Sequence, residues 1–259
     1  MIELVLIGIG TGGLDQLTLA AVKAINRADL ILIPRKGADK ADLADLRRAI
    51  CEEVLTNAAT RIAEFDLPVR DPATPDYLRR VDDWHDAIAG VWQRTIADHV
   101  SDGQVALLVW GDPALYDSSL RIARRLPDVA VEVVPGLMSI NVLTAAHGIT
   151  LNEVGAPFIV TTGRRLREEG WPAGVDTAVV MLDGECSFRH LAPEGVSIWW
   201  GAYVGMSSQI LLSGPLADVG EQIVAARAEA RARHGWIMDI YLLRRGQVSL
   251  TTSTSSSRL

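Results

Sequence analysis

The chain alternates short apolar runs with longer stretches in which apolar residues recur at helical spacing. Residues 3–7 are apolar, partly β-branched and stopped by glycines, the pattern of a buried strand. Residues 15–26 then carry Leu17, Leu19, Ala20, Ala24 and Ile25 on roughly one helical face, with Asp15 near its start. A second strand at 30–33 is closed by Pro34. Helices are predicted over 41–54, where acids precede Arg47-Arg48 in the order the helix dipole favours, and over 76–100, after a proline-bearing loop at 67–75. Further strands are predicted at 104–110, 129–134, 158–162, 177–182 and 197–200. An amphipathic stretch at 140–147, a helix at 215–234 and a closing strand at 236–243 complete the series. Strands alternating with helices imply βα units and a largely parallel sheet, so the fold class is α/β.

The composition shifts across residues 148–157, where a helical stretch ends at Gly148 and a new strand follows Pro157. This predicts an N-terminal α/β domain over 1–150 and a second α/β domain over 151–248. The Ser/Thr-rich tail at 249–259 is polar and of low complexity, and reads as a flexible end.

Composition narrows the function classes. Of 259 residues 49% are hydrophobic, enough for a substantial core and too many for wholesale disorder. The formal charge of −7 argues against a nucleic-acid-binding surface, which needs a basic field. An anionic small molecule stays possible through local clusters at Arg35-Lys36, Arg47-Arg48, Arg164-Arg165-Arg167 and Arg244-Arg245, each of which also suits a solvated surface. Cys51 and Cys186 form neither a metal spacing nor a disulfide framework, so no metal site is expected. No basic segment precedes a long apolar one, and no apolar run reaches the roughly 18–20 residues that span a bilayer. The expectation is a soluble cytoplasmic protein that uses neither membrane nor nucleic acid.

Three motifs follow strands and place Gly or Pro where backbone turns sharply or approaches a ligand. The first, Gly8-Ile9-Gly10-Thr11-Gly12-Gly13, has the dinucleotide-fingerprint spacing through Gly8, Gly10 and Gly13, and Arg35 stands where the extra phosphate of NADP would lie. An NADP-dependent oxidoreductase is therefore one reading, and a plain tight turn is another. Against the first, the second strand ends in Ile33-Pro34-Arg35-Lys36 rather than in an acid for a ribose, and Asp29 lies on the wrong side of it. The second motif is Trp110-Gly111-Asp112-Pro113-Ala114-Leu115-Tyr116, and the third is Val133-Val134-Pro135-Gly136-Leu137-Met138-Ser139. A strand ending in Gly-Asp-Pro exposes backbone groups beside a carboxylate, at the strand end where α/β sheets bind ligands.

In this order, from Leu4 to about Leu243, the motifs resemble the tetrapyrrole methylase family, which methylates with S-adenosylmethionine (SAM). The resemblance implies two α/β domains with SAM folded up in the cleft between them. It departs at Thr11, where the family usually has proline. Carried over by position, it implies cofactor contacts at Thr11, Trp110, Gly111, Asp112, Leu115, Met138 and Ser139, and in the second half at Met181, Gly201 and Ala202, with S-adenosylhomocysteine as product. Within the family, Ile31–Gly37 and Trp200–Met206 look most like the member that methylates precorrin-5 at ring carbon 1 and releases acetate, in aerobic cobalamin biosynthesis. Homodimers are usual in the family.

Methyl transfer from a sulfonium is an in-line displacement that needs alignment and no metal. Deacylation calls for a positioned acid or base. Tyr116 is the first choice and Asp112 the second; Asp183 and Glu185 are candidates if they face the cleft, and His147 is weighed and set aside, because before Gly148 at an apparent helix end it suits the helix dipole. The acceptor is rich in carboxylates, which points to Arg35 and Lys36 as substrate contacts, and less directly to Lys40 and Arg47. A different precorrin, a macromolecular acceptor such as rRNA or a histidine-bearing protein, and a non-enzymatic binding module remain as alternatives.

Overall fold

A computed structural model describes residues 1–35, 42–71 and 76–246. Contacts divide the chain into two compact units: Met1–Val142 with Gly205–Ser207, and Leu143–Val204 with Ser208 onward. No helix among the described residues is long and apolar enough to cross a membrane.

The first unit is built on five parallel strands. In chain order they are β1 (Ile2–Gly8), β2 (Leu30–Arg35), β3 (Arg61–Asp66), β4 (Gly103–Val109) and β5 (Val129–Val134), and in space β3-β2-β4-β1-β5. Strands buried on both faces read as continuous apolar runs, and alternate side chains serve opposite cores. Leu4 and Leu6 of β1, with Val105, Leu107 and Val109 of β4, pack beneath helix α3 (Tyr77–His99) and the short α4 (Ser119–Ala123). Val5, Ile7, Ala106 and Leu108 face the other core, with α1 (Leu19–Arg27) and α2 (Asp42–Val54). Thr18 caps α1 by accepting the Ala21 N–H at 3.0 Å, so the helix starts after a 3₁₀ turn at Leu14–Gln16 rather than at Asp15.

The second unit begins within α5 (Ser139–His147) and contains β6 (Phe158–Thr162), α6 (Gly163–Glu169), β7 (Thr177–Met181), β8 (Val196–Ala202), β9 (Ile210–Pro215), α7 (Leu216–His234) and β10 (Asp239–Arg245). Its sheet order is β6-β7-β10-β8-β9. Only β6 and β7 are parallel, so the expected largely parallel sheet holds in the first unit and fails here. The reason is the connection: β8 returns as β9 through residues 203–209, too short for a crossover helix but long enough for an antiparallel return. Two strands escaped the sequence reading. β3 is an edge strand with an alternating, mostly exposed face, and β9 abuts the start of a helix in the same apolar stretch.

Candidate functional site

The three motifs follow β1, β4 and β5, strands adjacent in the sheet with β1 at the centre. Their turns therefore meet at one point. The backbone packs there so closely that a Cβ on Gly8 would lie 2.5 Å from Gly136 N and 2.9 Å from Gly111 O. A Cβ on Gly136 would lie 2.3 Å from that same Gly111 oxygen. Gly10 and Gly111 also exchange backbone hydrogen bonds, at 3.2 and 2.7 Å, so the first two loops are zipped together. Glycine is required because peptide groups from three loops occupy the space of side chains.

Asp112 ties the second loop to the third. One carboxylate oxygen accepts the Ala114 N–H at 2.8 Å, closing its own turn, and the other accepts the Gly136 N–H at 2.9 Å. The residue is only 6% exposed. Assigned above to both catalysis and cofactor contact, Asp112 is in the structure an anchor whose oxygens are both engaged by amides. Its two oxygens thus hold the turns of both loops in place.

Gln16 organises the glycine loop. Its Oε1 accepts both the N–H and the hydroxyl of Thr11, at 3.1 and 2.8 Å. Its side chain also fills the space beside Gly10, Gly13 and Gly205. Thr11 is 3% exposed, so its hydroxyl is directed into the loop. Gly12 lies between the Trp110 ring and the Met206 side chain, each 3.1 Å from where its Cβ would stand. Gln16 and Met206 were missed by sequence reasoning. Gln16 is an unremarked polar residue in a helix-like stretch, and Met206 comes back to the first unit from far along the chain.

Gly111 is the exception among these glycines. It has φ +68° and nothing within 4 Å of its Cβ position, so beside the Trp110–Asp112 turn the backbone faces open space. Trp110 and Leu115 of the same loop are half-buried, and so are Met138, just before α5, and Ser139 at its start. Tyr116 is 46% exposed and holds a left-handed φ of 50°, a strained conformation for a bulky residue.

In the second unit Met181 ends β7, half-buried, beside Leu182, which is exposed with φ 53°. Gly201 and Ala202 are buried at the end of β8. A Cβ on Gly201 would lie 2.5 Å from Val204 and 2.9 Å from Leu143. Asp183 is fully committed: its carboxylate accepts from Tyr241 Oη at 2.7 Å, from the Ser187 hydroxyl and N–H at 2.8 and 2.6 Å, and from the Glu185 N–H at 3.1 Å. Burial pushes its pKa up, but those hydrogen bonds prevail and hold it below the usual carboxylate range. Glu185 pairs with Arg167 at 2.8 Å. The His147 ring meets the Trp200 carbonyl at 3.0 Å, and burial lowers its pKa. All three of these residues have structural partners.

Arg35 extends along β3 to pair with Asp66 at 3.1 Å and Glu64 at 3.7 Å. Lys36 and Lys40 lie outside the described residues. Asp29 sits at the amino end of β2, where its carboxylate accepts the Gln104 N–H at 2.8 Å. It is thus at the opposite end of the sheet from the glycine loop, and β2 itself ends in Pro34-Arg35 rather than in an acid. Among the described residues no cluster of His, Cys, Asp and Glu could hold a metal.

A parallel α/β sheet with three interlocked loops at its carboxyl edge is the arrangement in which doubly wound folds place small-ligand sites. At Gly111 the backbone leaves the Cβ position open, beside Trp110 in the same turn. Comparison with known proteins sharpens this. Residues 3–220 match the tetrapyrrole (corrin/porphyrin) methylases. Precorrin-6A synthase [deacetylating] from Sinorhizobium sp. is 45% identical over 95% of this chain and 96% of its own. The crystal structure of a cobalamin synthesis related protein (CobF) from Corynebacterium diphtheriae superposes with a TM-score of 0.81 at 38% identity, covering 95% of this chain and 99% of that one. A uroporphyrin-III C-methyltransferase from Thermus thermophilus, solved with S-adenosylhomocysteine, shares the fold at TM-score 0.56 and 18% identity, over 93% of this chain and 97% of that one. The chain belongs to the tetrapyrrole methylase family, and it is a SAM-dependent methyltransferase.

Proposed function

We propose that this enzyme methylates precorrin-5 at ring carbon 1 and releases acetate, giving precorrin-6A. The observation that carries the reading is 45% identity over nearly the whole chain to an enzyme named for that product, in a chain whose three ligand-type loops are locked together at Gly8, Gly111 and Gly136. Trp110, Gly111, Leu115, Met138 and Ser139 would hold the cofactor, with Thr11 and Asp112 shaping the loops around it. Met181, Gly201 and Ala202 are the contacts proposed from the second unit.

When bound, SAM supplies a methyl group on a sulfonium. The contribution of this chain to that step is alignment and exclusion of water by loops that three neighbouring strands hold rigid. Loss of the acetyl unit needs water to attack an acyl carbonyl, and a group to take up the proton the water gives up as acetate forms; the electron pair left on the ring carbon is then available to the methyl group. Tyr116, half-exposed at the end of the Trp110–Tyr116 loop, is the residue proposed to take up that proton. Arg35 and Lys36 are the contacts proposed for acceptor carboxylates. The family habit of pairing supports a homodimer, and the soluble biosynthetic relatives support a cytoplasmic location.

The test is direct. Calorimetric titration with S-adenosylhomocysteine, with NADPH as control, should give saturable binding of the first alone. Incubation with precorrin-5 and methyl-labelled SAM should then leave label in the tetrapyrrole and free acetate in solution. Binding of NADPH, or label transferred to a different precorrin only, would overturn the reading.

A further inference from the structure

The sheet of the first unit is split at its carboxyl edge, and a guanidinium stands in the split. β2 pairs with β4 only from Leu30↔Val105 to Leu32↔Leu107, yet it stays with β3 as far as Arg35↔Asp66. Pro34 accounts for the parting. The Arg35 carbonyl faces β3, where it accepts the Leu67 N–H at 2.9 Å. Alternation then turns the preceding residue toward β4, and proline has no N–H to give. β2 and β4 flank the point where the strand order reverses, the position at which open α/β sheets bind ligands.

Arg47 reaches into that gap from α2. Its Nε donates at 2.8 Å to the Leu108 carbonyl, the first on β4 beyond the pairing with β2, and its Nη1 donates at 3.0 Å to the Leu43 carbonyl. Two fixed nitrogens lock the plane of the fork. No carboxylate among the described residues comes within 4.0 Å of it. Asp117 offsets the charge only from farther away, with one carboxylate oxygen already accepting the Ser119 N–H at 2.6 Å. The residue keeps part of its surface accessible, while crowding desolvates the guanidinium enough to lower its pKa to about 10. Among the described residues no further hydrogen bond engages the remaining edge of the fork. A cation desolvated at this split, with no ion-pair partner among the described residues, suits an anion that arrives with the ligand.

We infer that Arg47 is the carboxylate-receiving residue of the ligand site, held by the Leu108 and Leu43 carbonyls so that the remaining edge of its fork binds a carboxylate at the β2–β4 split. The inference rests on the methylase reading for its ligands, because both SAM and a precorrin carry carboxylates. The acceptor, with many, is the one to which the inference assigns it.

The experiment compares Arg47→Met and Arg47→Lys with the unaltered enzyme. Each is titrated with S-adenosylhomocysteine and, separately, with uroporphyrin as a stable octacarboxylic probe, after thermal melts confirm folding. Arg47→Met should weaken uroporphyrin binding about 10-fold or more, while S-adenosylhomocysteine changes less than about 2-fold. Arg47→Lys, which keeps the charge and loses the fork, should recover part of the loss. Loss of S-adenosylhomocysteine binding alone would support the same carboxylate role with the cofactor as its source. Should Arg47→Met fail to fold, Arg47→Lys decides, because a folded lysine variant must still bind the affected probe less tightly than the parent. Unchanged affinity for both probes in a folded variant would overturn the inference, as would an unaltered enzyme that binds neither. An enzyme that binds uroporphyrin through Arg47 but transfers no methyl group to precorrin-5 would sink the functional reading and leave this one standing.

Discussion

The carboxylate of Asp112 accepts the backbone N–H of Gly136 at 2.9 Å, joining the loop after β4 to the loop after β5 across the end of β1. Replacing Asp112 by alanine strands two amides and frees both turns. A buried donor left unsatisfied costs about 1–3 kcal/mol, so urea unfolding should show a loss of that size. Affinity for S-adenosylhomocysteine should fall with it, because the loops would no longer be held in register. A stable Asp112→Ala enzyme with unchanged affinity would refute the anchoring role.

Gly111 and Gly136 should respond differently to the same added methyl group. In Gly136→Ala the Cβ meets the Gly111 oxygen at 2.3 Å, backbone against backbone, so the three-loop junction must open and the protein should express poorly or melt far earlier. In Gly111→Ala nothing obstructs the Cβ, and the cost is the left-handed φ alone, about 1–2 kcal/mol. That variant should fold, yet bind S-adenosylhomocysteine at least about 10-fold more weakly, because the methyl occupies the opening assigned to the cofactor. Calorimetry on the folded Gly111→Ala protein checks the second half of this contrast.

Tyr116 and Arg35 separate chemistry from binding. Tyr116→Phe should leave S-adenosylhomocysteine affinity intact and slow acetate release more than methyl incorporation, read by following labelled methyl and acetate together. Arg35→Glu should raise the KM for the tetrapyrrole while leaving cofactor affinity nearly unchanged. Equal loss of both would indicate that Arg35 acts only through its pairs with Asp66 and Glu64.

Acid should weaken the second unit through His147. Burial lowers its pKa in the folded state, so the unfolded chain binds its proton more readily. The stabilisation from the neutral ring is therefore complete above the unfolded value near 6.5 and declines as pH falls through the lower folded value. Denaturant melts across this range should flatten on the acid side in His147→Gln relative to the parent. A parallel curve would assign the acid slope to other groups.

Both thiols should be inert. Burial pushes Cys51 and Cys186 up to about 11 each, leaving roughly one molecule in a thousand as thiolate at pH 8. Iodoacetamide should label neither in the native protein and both after unfolding, as intact mass would report.

What was legible in the sequence follows from where the information resides. β1, β2 and β4 announced themselves as apolar runs ending in or near Gly or Pro, because a strand buried on both faces has no other composition available, and the edge strand β5 through its valines and the Pro135 that stops them. β3 did not, since an edge strand with one exposed face need only alternate. The loops were visible for the same local reason, glycines where no Cβ fits, but their convergence was not. Only the order β4-β1-β5 brings Gly8, Gly111 and Gly136 together, and pairing order is a property of the assembled sheet. Side-chain roles were least legible. An aspartate in a Gly-Asp-Pro turn gives no sign that a distant amide claims its second oxygen, and the place of Arg47 in a split sheet depends on where β2 and β4 part company.

The central strand also sets a timetable for biosynthesis. β1 is made before the other strands of its sheet, yet its two neighbours are β4 and β5, so its hydrogen-bonding edges stay unsatisfied until the chain has been made through Val134. Such distant pairing slows folding and exposes apolar strand edges on the way. The second unit, with an antiparallel return between β8 and β9, has a local contact on which to start. Nascent chains arrested before β5 should therefore occupy chaperones, and chains extended past it should escape them.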